Sequence, residues 1–200
     1  MKKLSRISLI FLMSIVLSIP VYAQSAKEAV RSLKRLEAHC QTGITYADFT
    51  RALGDAKFEV NLYQESKVAS NNIPLADMIK KIMSEYEDAH TVFTEKRPGP
   101  YRYLDYNINP PSTNPVIEKI REKSRKKDEL EKQYYKQLLV KYPDANKKVE
   151  DGGIIDADKS DIGKENPTYG RVINLDYLLP IILRYASTDL NEAMKLLSGE

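Results

Sequence analysis

Few residues of this chain have types and spacing suited to chemistry, and Glu87 with His90 form the clearest pair. Helical bundles that hold carboxylate-bridged metals use this Glu-x-x-His spacing, together with a second copy of it and two further carboxylates. The chain has 2 histidines, and Leu36 stands three residues before the other one, His39. The spacing therefore favours a boundary histidine beside solvated carboxylates, with a metal-binding helical bundle as an alternative.

Acidic residues alternate at the start of the segment from Asp156 to Asp161, as in a calcium-binding loop. That loop needs Gly at its sixth position and Glu at its twelfth, where this chain has Asp161 and Pro167. We interpret the segment as a solvated polar linker, and the sequence predicts no cofactor.

The sequence contains no recognisable motif for nucleophilic catalysis. The chain has no Gly-x-Ser-x-Gly elbow, no phosphate-binding glycine loop and no His-Glu-x-x-His zinc motif. An enzyme that uses paired carboxylates stays open as an alternative. The single cysteine, Cys40, allows no internal disulfide. Its place on an apolar helix stripe indicates a core side chain, and a disulfide between chains is the other interpretation.

Aromatic and basic residues supply the candidates for contact with a ligand or partner. A proline-bounded connector holds Tyr101, Arg102, Tyr103 and Tyr106, and such connectors often carry binding residues. Tyrosines also fix loops to helix bundles, so a structural role is the competing interpretation.

A run of six cations within nine residues forms a second candidate. It contains Lys119, Arg121, Lys123, Arg125, Lys126 and Lys127. A solvated helix face explains most such runs. The sharper hypothesis is that Lys126 and Lys127 contact anionic envelope components such as phospholipid head groups.

The first 23 residues have the composition of a secretory signal peptide. Lys2, Lys3 and Arg6 precede the apolar run from Ile7 to Ile19, and Val21-Tyr22-Ala23 fits a cleavage site. We therefore expect cleavage near Ala23 and a periplasmic or secreted protein. The full chain has 31 basic and 28 acidic residues, and cleavage removes three basic ones. The remaining chain is formally neutral, which excludes the basic excess typical of nucleic-acid binders.

Apolar residues recur at steps of three and four along almost the whole chain, which predicts that helices position these candidate residues. Thr45 with Asp48, and Asn114 with Pro115, are typical of helix starts. Asn174 and Thr188 are the expected caps of the two C-terminal helices. Apolar stripes are expected on the first helix (Ala26, Ala29, Val30, Leu33, Leu36 and Cys40) and on the second (Phe49, Leu53, Ala56, Val60 and Tyr63). The sequence predicts an all-α antiparallel bundle of three to four long helices with a C-terminal helical pair. The predicted ranges are a signal peptide (1–23), the bundle (24–142), a polar linker (143–173) and the pair docked on the bundle (174–200).

The segment from Gly43 to Leu62 (Gly-Ile-Thr-Tyr-Ala-Asp-Phe, then Ala-Leu-Gly-Asp-Ala-Lys-Phe-Glu-Val-Asn-Leu) resembles small exported bacterial helical proteins with no assigned activity. The resemblance covers about the first two mature helices. It implies a helical fold and an exported location, and no substrate or site.

These observations favour a non-enzymatic exported protein that binds or scaffolds in the envelope. The expected partners are an envelope protein or a weakly held membrane surface, and not nucleic acid. The sequence leaves a homo-oligomer open. An apolar C-terminal pair around Leu178, Ile182 and Leu183 is expected to offer a surface for such a partner.

Overall fold

The computed structural model of the chain describes residues 26–96, 101–103, 114–146, 154–156 and 171–199. Helices occupy most of these residues, which confirms the all-α class. They are α1 (26–41), α2 (Tyr46–Gln64), α3 (Lys67–Asn71), α4 (Ile73–Lys96), α5 (Pro115–Lys141) and α6 (Leu175–Ser198). A short 3₁₀ turn, Pro143–Asn146, follows α5. The predicted signal peptide, residues 1–23, lies outside the described residues.

The chain divides into two compact units. The first unit extends to His90 and resumes at Leu183, and the second covers Thr91–Ile182. Helices α4 and α6 contribute to both units. The predicted boundaries at residues 142 and 173 do not coincide with this division.

The first unit begins with a tight connection between α1 and α2. Gly43 has a φ of 82°, a left-handed conformation that glycine adopts without steric strain. Thr45 then caps α2, because its Oγ1 accepts a hydrogen bond from Asp48 N at 3.2 Å. The same hydroxyl donates to Asp48 Oδ2 at 2.6 Å. The predicted helix start is confirmed.

Apolar stripes on the helices form the core of the first unit. The predicted stripe of α2 is buried throughout, which confirms its helical phase; it contains Phe49, Leu53, Ala56, Val60 and Tyr63. The predicted stripe of α1 is also buried apart from Cys40, which is half-buried at its end; its buried members are Ala26, Ala29, Val30, Leu33 and Leu36.

The second unit contains a small antiparallel sheet that the sequence did not predict. Its strands are β1 (Tyr101–Tyr103), β2 (Ile154–Asp156) and β3 (Arg171–Asn174), in the order β1-β3-β2. In the register Arg102 and Ile154 both pair with Ile173. The expected polar linker, 143–173, is therefore partly ordered. Strands of three or four residues are too short to show a period of two, so they have no recognisable pattern in the sequence.

The expected C-terminal helical pair is wrong, since α6 is one continuous helix. Asn174 caps it as predicted, because its Oδ1 accepts a hydrogen bond from Asp176 N at 2.9 Å. Thr188, which was expected to cap a second helix, instead donates from Oγ1 to Arg184 O one turn earlier at 2.9 Å. Threonine forms this bond within helices, so its presence did not require a break. Leu178 and Ile182 are fully buried.

We expect Thr45→Ala to lower the free energy of unfolding by about 1 kcal/mol, because it removes the cap of α2. Thr188→Ala should change it by less than ~0.5 kcal/mol, since that threonine lies inside a continuous helix. Urea unfolding of both variants measures the difference. Equal losses would show that Thr188 does cap a separate helix.

Candidate functional site

The N-terminal half of α5 is an exposed helical surface that carries apolar side chains. Asn114 caps the helix through Oδ1, which accepts a hydrogen bond from Val116 N at 3.0 Å. Pro115 occupies the first helical position, as predicted. From Pro115 to Tyr134 no residue is buried. The sequence left open whether the polar middle of this helix is solvated or joins two packed ends, and in the structure only the C-terminal end contains buried residues.

The C-terminal end of α5 is held by burial. Tyr135, Leu138 and Leu139 are buried, and Tyr142 after the helix is fully buried. Burial raises the pKa of the Tyr135 hydroxyl well above its ordinary value. These residues anchor one end of the helix in the second unit.

Arg102 in β1 contributes to the same anchor. Its Nε lies 2.8 Å from Glu131 Oε1 in α5, and its guanidinium also donates to Glu95 O near the end of α4. The side chain is only 13% exposed. Arg102, a predicted ligand contact, is therefore engaged in ion pairs within the protein.

The three tyrosines predicted as ligand contacts in the connector are described only through their backbone or not at all. Tyr101 and Tyr103 pair through the backbone with Asn174 and Val172 in β3. Tyr106 lies outside the described residues.

The exposed side of α5 carries apolar and lysine side chains together. Val116, Ile120 and Leu130 are each about two-thirds exposed (67%, 66% and 68%). Three lysines one turn apart lie among them and are also exposed. We call this surface the lysine face; it consists of Val116, Lys119, Ile120, Lys123, Lys127 and Leu130.

Glu118, Glu122 and Glu129 of α5 lie on another side of the helix. Lys126 Nζ is 2.9 Å from Glu122 Oε1, and Arg125 pairs with Glu118. By contrast, Lys119, Lys123 and Lys127 form no ion pair with any residue that the structure describes. Of the two predicted contact lysines, Lys127 therefore belongs to the lysine face and Lys126 to an intrahelical pair.

The sequence pointed to the cation run but missed the apolar members of this face. In the sequence, Val116 and Ile120 belong to the apolar start of the helix and Leu130 begins its apolar end, and the two groups were not recognised as one exposed side. The available signal was the angular position of each residue on the helix, which places these side chains beside the lysines.

A groove of about 330 Å³ runs between α1 and α2 in the first unit. Its floor is apolar and its rim carries charges of both signs; the lining includes Arg35, Leu36, His39, Asp55, Ala56, Phe58 and Glu59. Ser32 also lines it, but its hydroxyl donates to Ala29 O at 2.8 Å. The groove can admit a small polar molecule, and its lining pairs no nucleophile with a base.

Buried acidic residues of the first unit take part in contacts between helices. Glu37 of α1 accepts a hydrogen bond from the hydroxyl of Ser187 in α6 and another from Lys34 Nζ at 2.7 Å. Asp189 of α6 lies 2.6 Å from Lys81 Nζ of α4, and this hydrogen bond raises the pKa of Lys81. These carboxylates hold the helices together.

The predicted metal-ligand pair, Glu87 and His90, faces α2. Glu87 Oε1 lies 2.6 Å from Lys57 Nζ. His90 Nε2 lies 3.0 Å from Thr50 Oγ1, and the Thr50 hydroxyl donates to Tyr46 O at 2.9 Å. Because a hydroxyl has one proton, Nε2 must be the donor in its bond with Thr50. In this arrangement Nε2 carries a proton and is not available to a metal.

No group of three or more potential metal ligands occurs within the described residues. The predicted calcium-like segment lies mostly outside them, with only Asp156 described, in β2. The described geometry therefore favours a packing role for His90. Its ring stacks on Tyr46 at a centroid distance of 5.3 Å and contacts Phe49 at 5.8 Å.

Comparisons with protein-family models, with curated proteins and with solved structures found no match. Among the described residues, no helix has the length and apolar character required to cross a membrane.

His90 should make stability depend on pH, because burial lowers its pKa below the ordinary value of about 6.5. Below that value the unfolded chain takes up a proton that the folded imidazole does not. The stabilisation is therefore complete above about pH 6.5 and is lost as the pH falls toward the folded pKa. We expect the urea midpoint of the wild type to fall between pH 7.5 and 5.

In His90→Gln this pH-dependent fall should be smaller, and urea titrations at the two pH values measure it. His39→Gln, which changes the exposed histidine, is the matched control and should behave like the wild type. An identical fall in both variants would contradict the assignment to His90.

Cys40 should react slowly with thiol reagents, because burial and the nearby Glu37 carboxylate raise its pKa to about 11. At pH 8 we expect modification of the folded protein to be roughly 10- to 100-fold slower than in urea, since the thiolate is the reactive form. Disulfide formation between chains is disfavoured for the same reason. Equal rates in the folded and unfolded states would contradict this.

Proposed function

We propose that the protein is exported and acts in the envelope as a non-enzymatic binding module, with the lysine face of α5 as its interaction surface. Export is supported by the basic start, the short apolar run and the Val-x-Ala site in residues 1–23. The location would be periplasmic or secreted after cleavage near Ala23.

The observation that carries the binding role is the exposure of three apolar side chains on one side of a helix that has no buried residue before Tyr135. Burying a Val, Ile or Leu side chain stabilises a structure by about 1.5 to 3 kcal/mol. On Val116, Ile120 and Leu130 this contribution is not used within the described protein. A partner that covers the lysine face would gain it.

The C-terminal helix does not offer the partner surface that the sequence suggested. Leu178 and Ile182 are buried, and Leu183 is half-buried. The exposed apolar residues of α5 replace them as the candidate contact. The metal-binding alternative has less support, because Glu87 and His90 are engaged with Lys57 and Thr50.

The test of this proposal follows the full chain in cells of its native host. We expect the mature mass to lack residues 1–23 and the protein to fractionate with the envelope. Val116→Ser/Ile120→Ser/Leu130→Ser should move it to the soluble fraction with at least ~10-fold weaker association, because three apolar contacts are lost. Mass spectrometry and immunoblotting of the fractions measure the two effects.

Phe58→Ser/Leu62→Ser is the matched control. These residues are exposed apolar side chains of α2, at 61% and 48%, so their replacement changes surface hydrophobicity elsewhere. The control should fractionate like the wild type. Retention of residues 1–23 would overturn cleavage near Ala23, absence from the envelope and secreted fractions would overturn export, and equal fractionation of all variants would overturn the role of the lysine face.

A further inference from the structure

The lysine face has a defined shape on the helix. At 3.6 residues per turn, its six side chains fall within an arc of about 100°, and they extend over about 21 Å along the axis. Glu118, Glu122 and Glu129 cluster about 130° away on the helix circumference. The face therefore contains lysines and apolar side chains and no acidic residue.

We propose that the partner of the lysine face is an anionic phospholipid surface and that α5 lies along it. This inference rests on the proposed function and adds the chemistry of the partner. Helices that lie in a membrane interface combine apolar side chains with lysines, and they bind anionic lipids through both. Val116, Ile120 and Leu130 would enter the boundary between head groups and acyl chains.

The charges of the face complement such a surface. Lys119, Lys123 and Lys127 are exposed and form no ion pair within the described residues. Each lysine near an anionic membrane strengthens binding by roughly fivefold. Glu118, Glu122 and Glu129 lie on another side of the helix. Glu131, about 20° beyond Ile120 on the circumference, is paired with Arg102 Nε at 2.8 Å, so its charge opposes this attraction little.

The mixing of lysines among the apolar residues favours lipid over a protein groove. A protein partner that buried this face would have to desolvate three ammonium groups and supply an acidic residue for each. At a membrane surface, the long lysine side chains can place their charges among phosphates while the apolar side chains enter the interface. The lipid surface therefore satisfies both kinds of side chain at once.

The absence of tryptophan from the sequence provides a direct test. Leu130→Trp introduces a single reporter at an exposed position of the lysine face. We expect its fluorescence to shift to the blue on titration of the chain from residue 24 onward with vesicles of equimolar phosphatidylglycerol and phosphatidylcholine. Phosphatidylcholine vesicles alone should give little shift. Phe58→Trp, on α2, is the control reporter and should not respond to either vesicle.

The lysines are tested in the Leu130→Trp background. Lys119→Gln/Lys123→Gln/Lys127→Gln should weaken anionic vesicle binding roughly 100-fold. Lys27→Gln/Lys80→Gln/Lys195→Gln removes the same charge from exposed lysines of other helices and should bind like the parent. All variants share one N-terminus, so a difference between them comes from the substituted lysines.

Two outcomes would overturn the lipid assignment: equal binding to neutral and anionic vesicles, or equal loss in the two lysine variants. If vesicles fail to bind while envelope association in cells still depends on Val116, Ile120 and Leu130, the proposed function stands with a protein partner. If both dependences are absent, the proposed function and this inference fail together.

Discussion

The ion pairs of Arg102 determine how the second unit is held together. Its guanidinium connects β1 to Glu95 at the end of α4 and to Glu131 in α5. An arginine that is 13% exposed must satisfy its donors within the protein. Because Glu131 lies one turn before the buried Tyr135, this contact marks where the packing of α5 begins. The residues on its N-terminal side are left exposed, and the lysine face is among them.

The sequence predicted those parts of the fold that depend on neighbours within a few residues. Thr45 and Asn114 cap helices as expected, since a cap bonds to backbone groups two or three residues away. The stripes of α1 and α2 were also predicted correctly, because a period of 3.6 is visible over any 15-residue window. Helix starts and buried faces are local properties, and a single sequence contains them.

Contacts between distant residues could not be predicted in the same way. The β1 residues pair with β3 residues that are far away in the sequence. Arg102 forms an ion pair with Glu131, which no local sequence pattern distinguishes from the other acidic residues of α5. Threonine occurs both as a helix cap and inside helices, so the sequence alone does not distinguish the two roles of Thr188. Its bond to Arg184 O shows that α6 continues through this position. For the candidate site, the sequence supplied the cation run and Lys127. The exposure of Val116, Ile120 and Leu130 required knowledge of what α5 packs against.

The distribution of charge on α5 is not explained by the stability of the helix alone. Lys119, Lys123 and Lys127 follow one another at steps of four, where like charges destabilise a helix by about 0.2–0.5 kcal/mol per pair. Acidic residues at 118, 122 and 129 are available in the same helix, yet Glu122 pairs with Lys126 rather than with the lysine face. The chain without its first 23 residues is formally neutral, so an attraction to anions cannot come from net charge. An attraction to anions can come instead from the separation of charges on α5. The three lysines, whose mutual repulsion destabilises the helix, lie together on its exposed side.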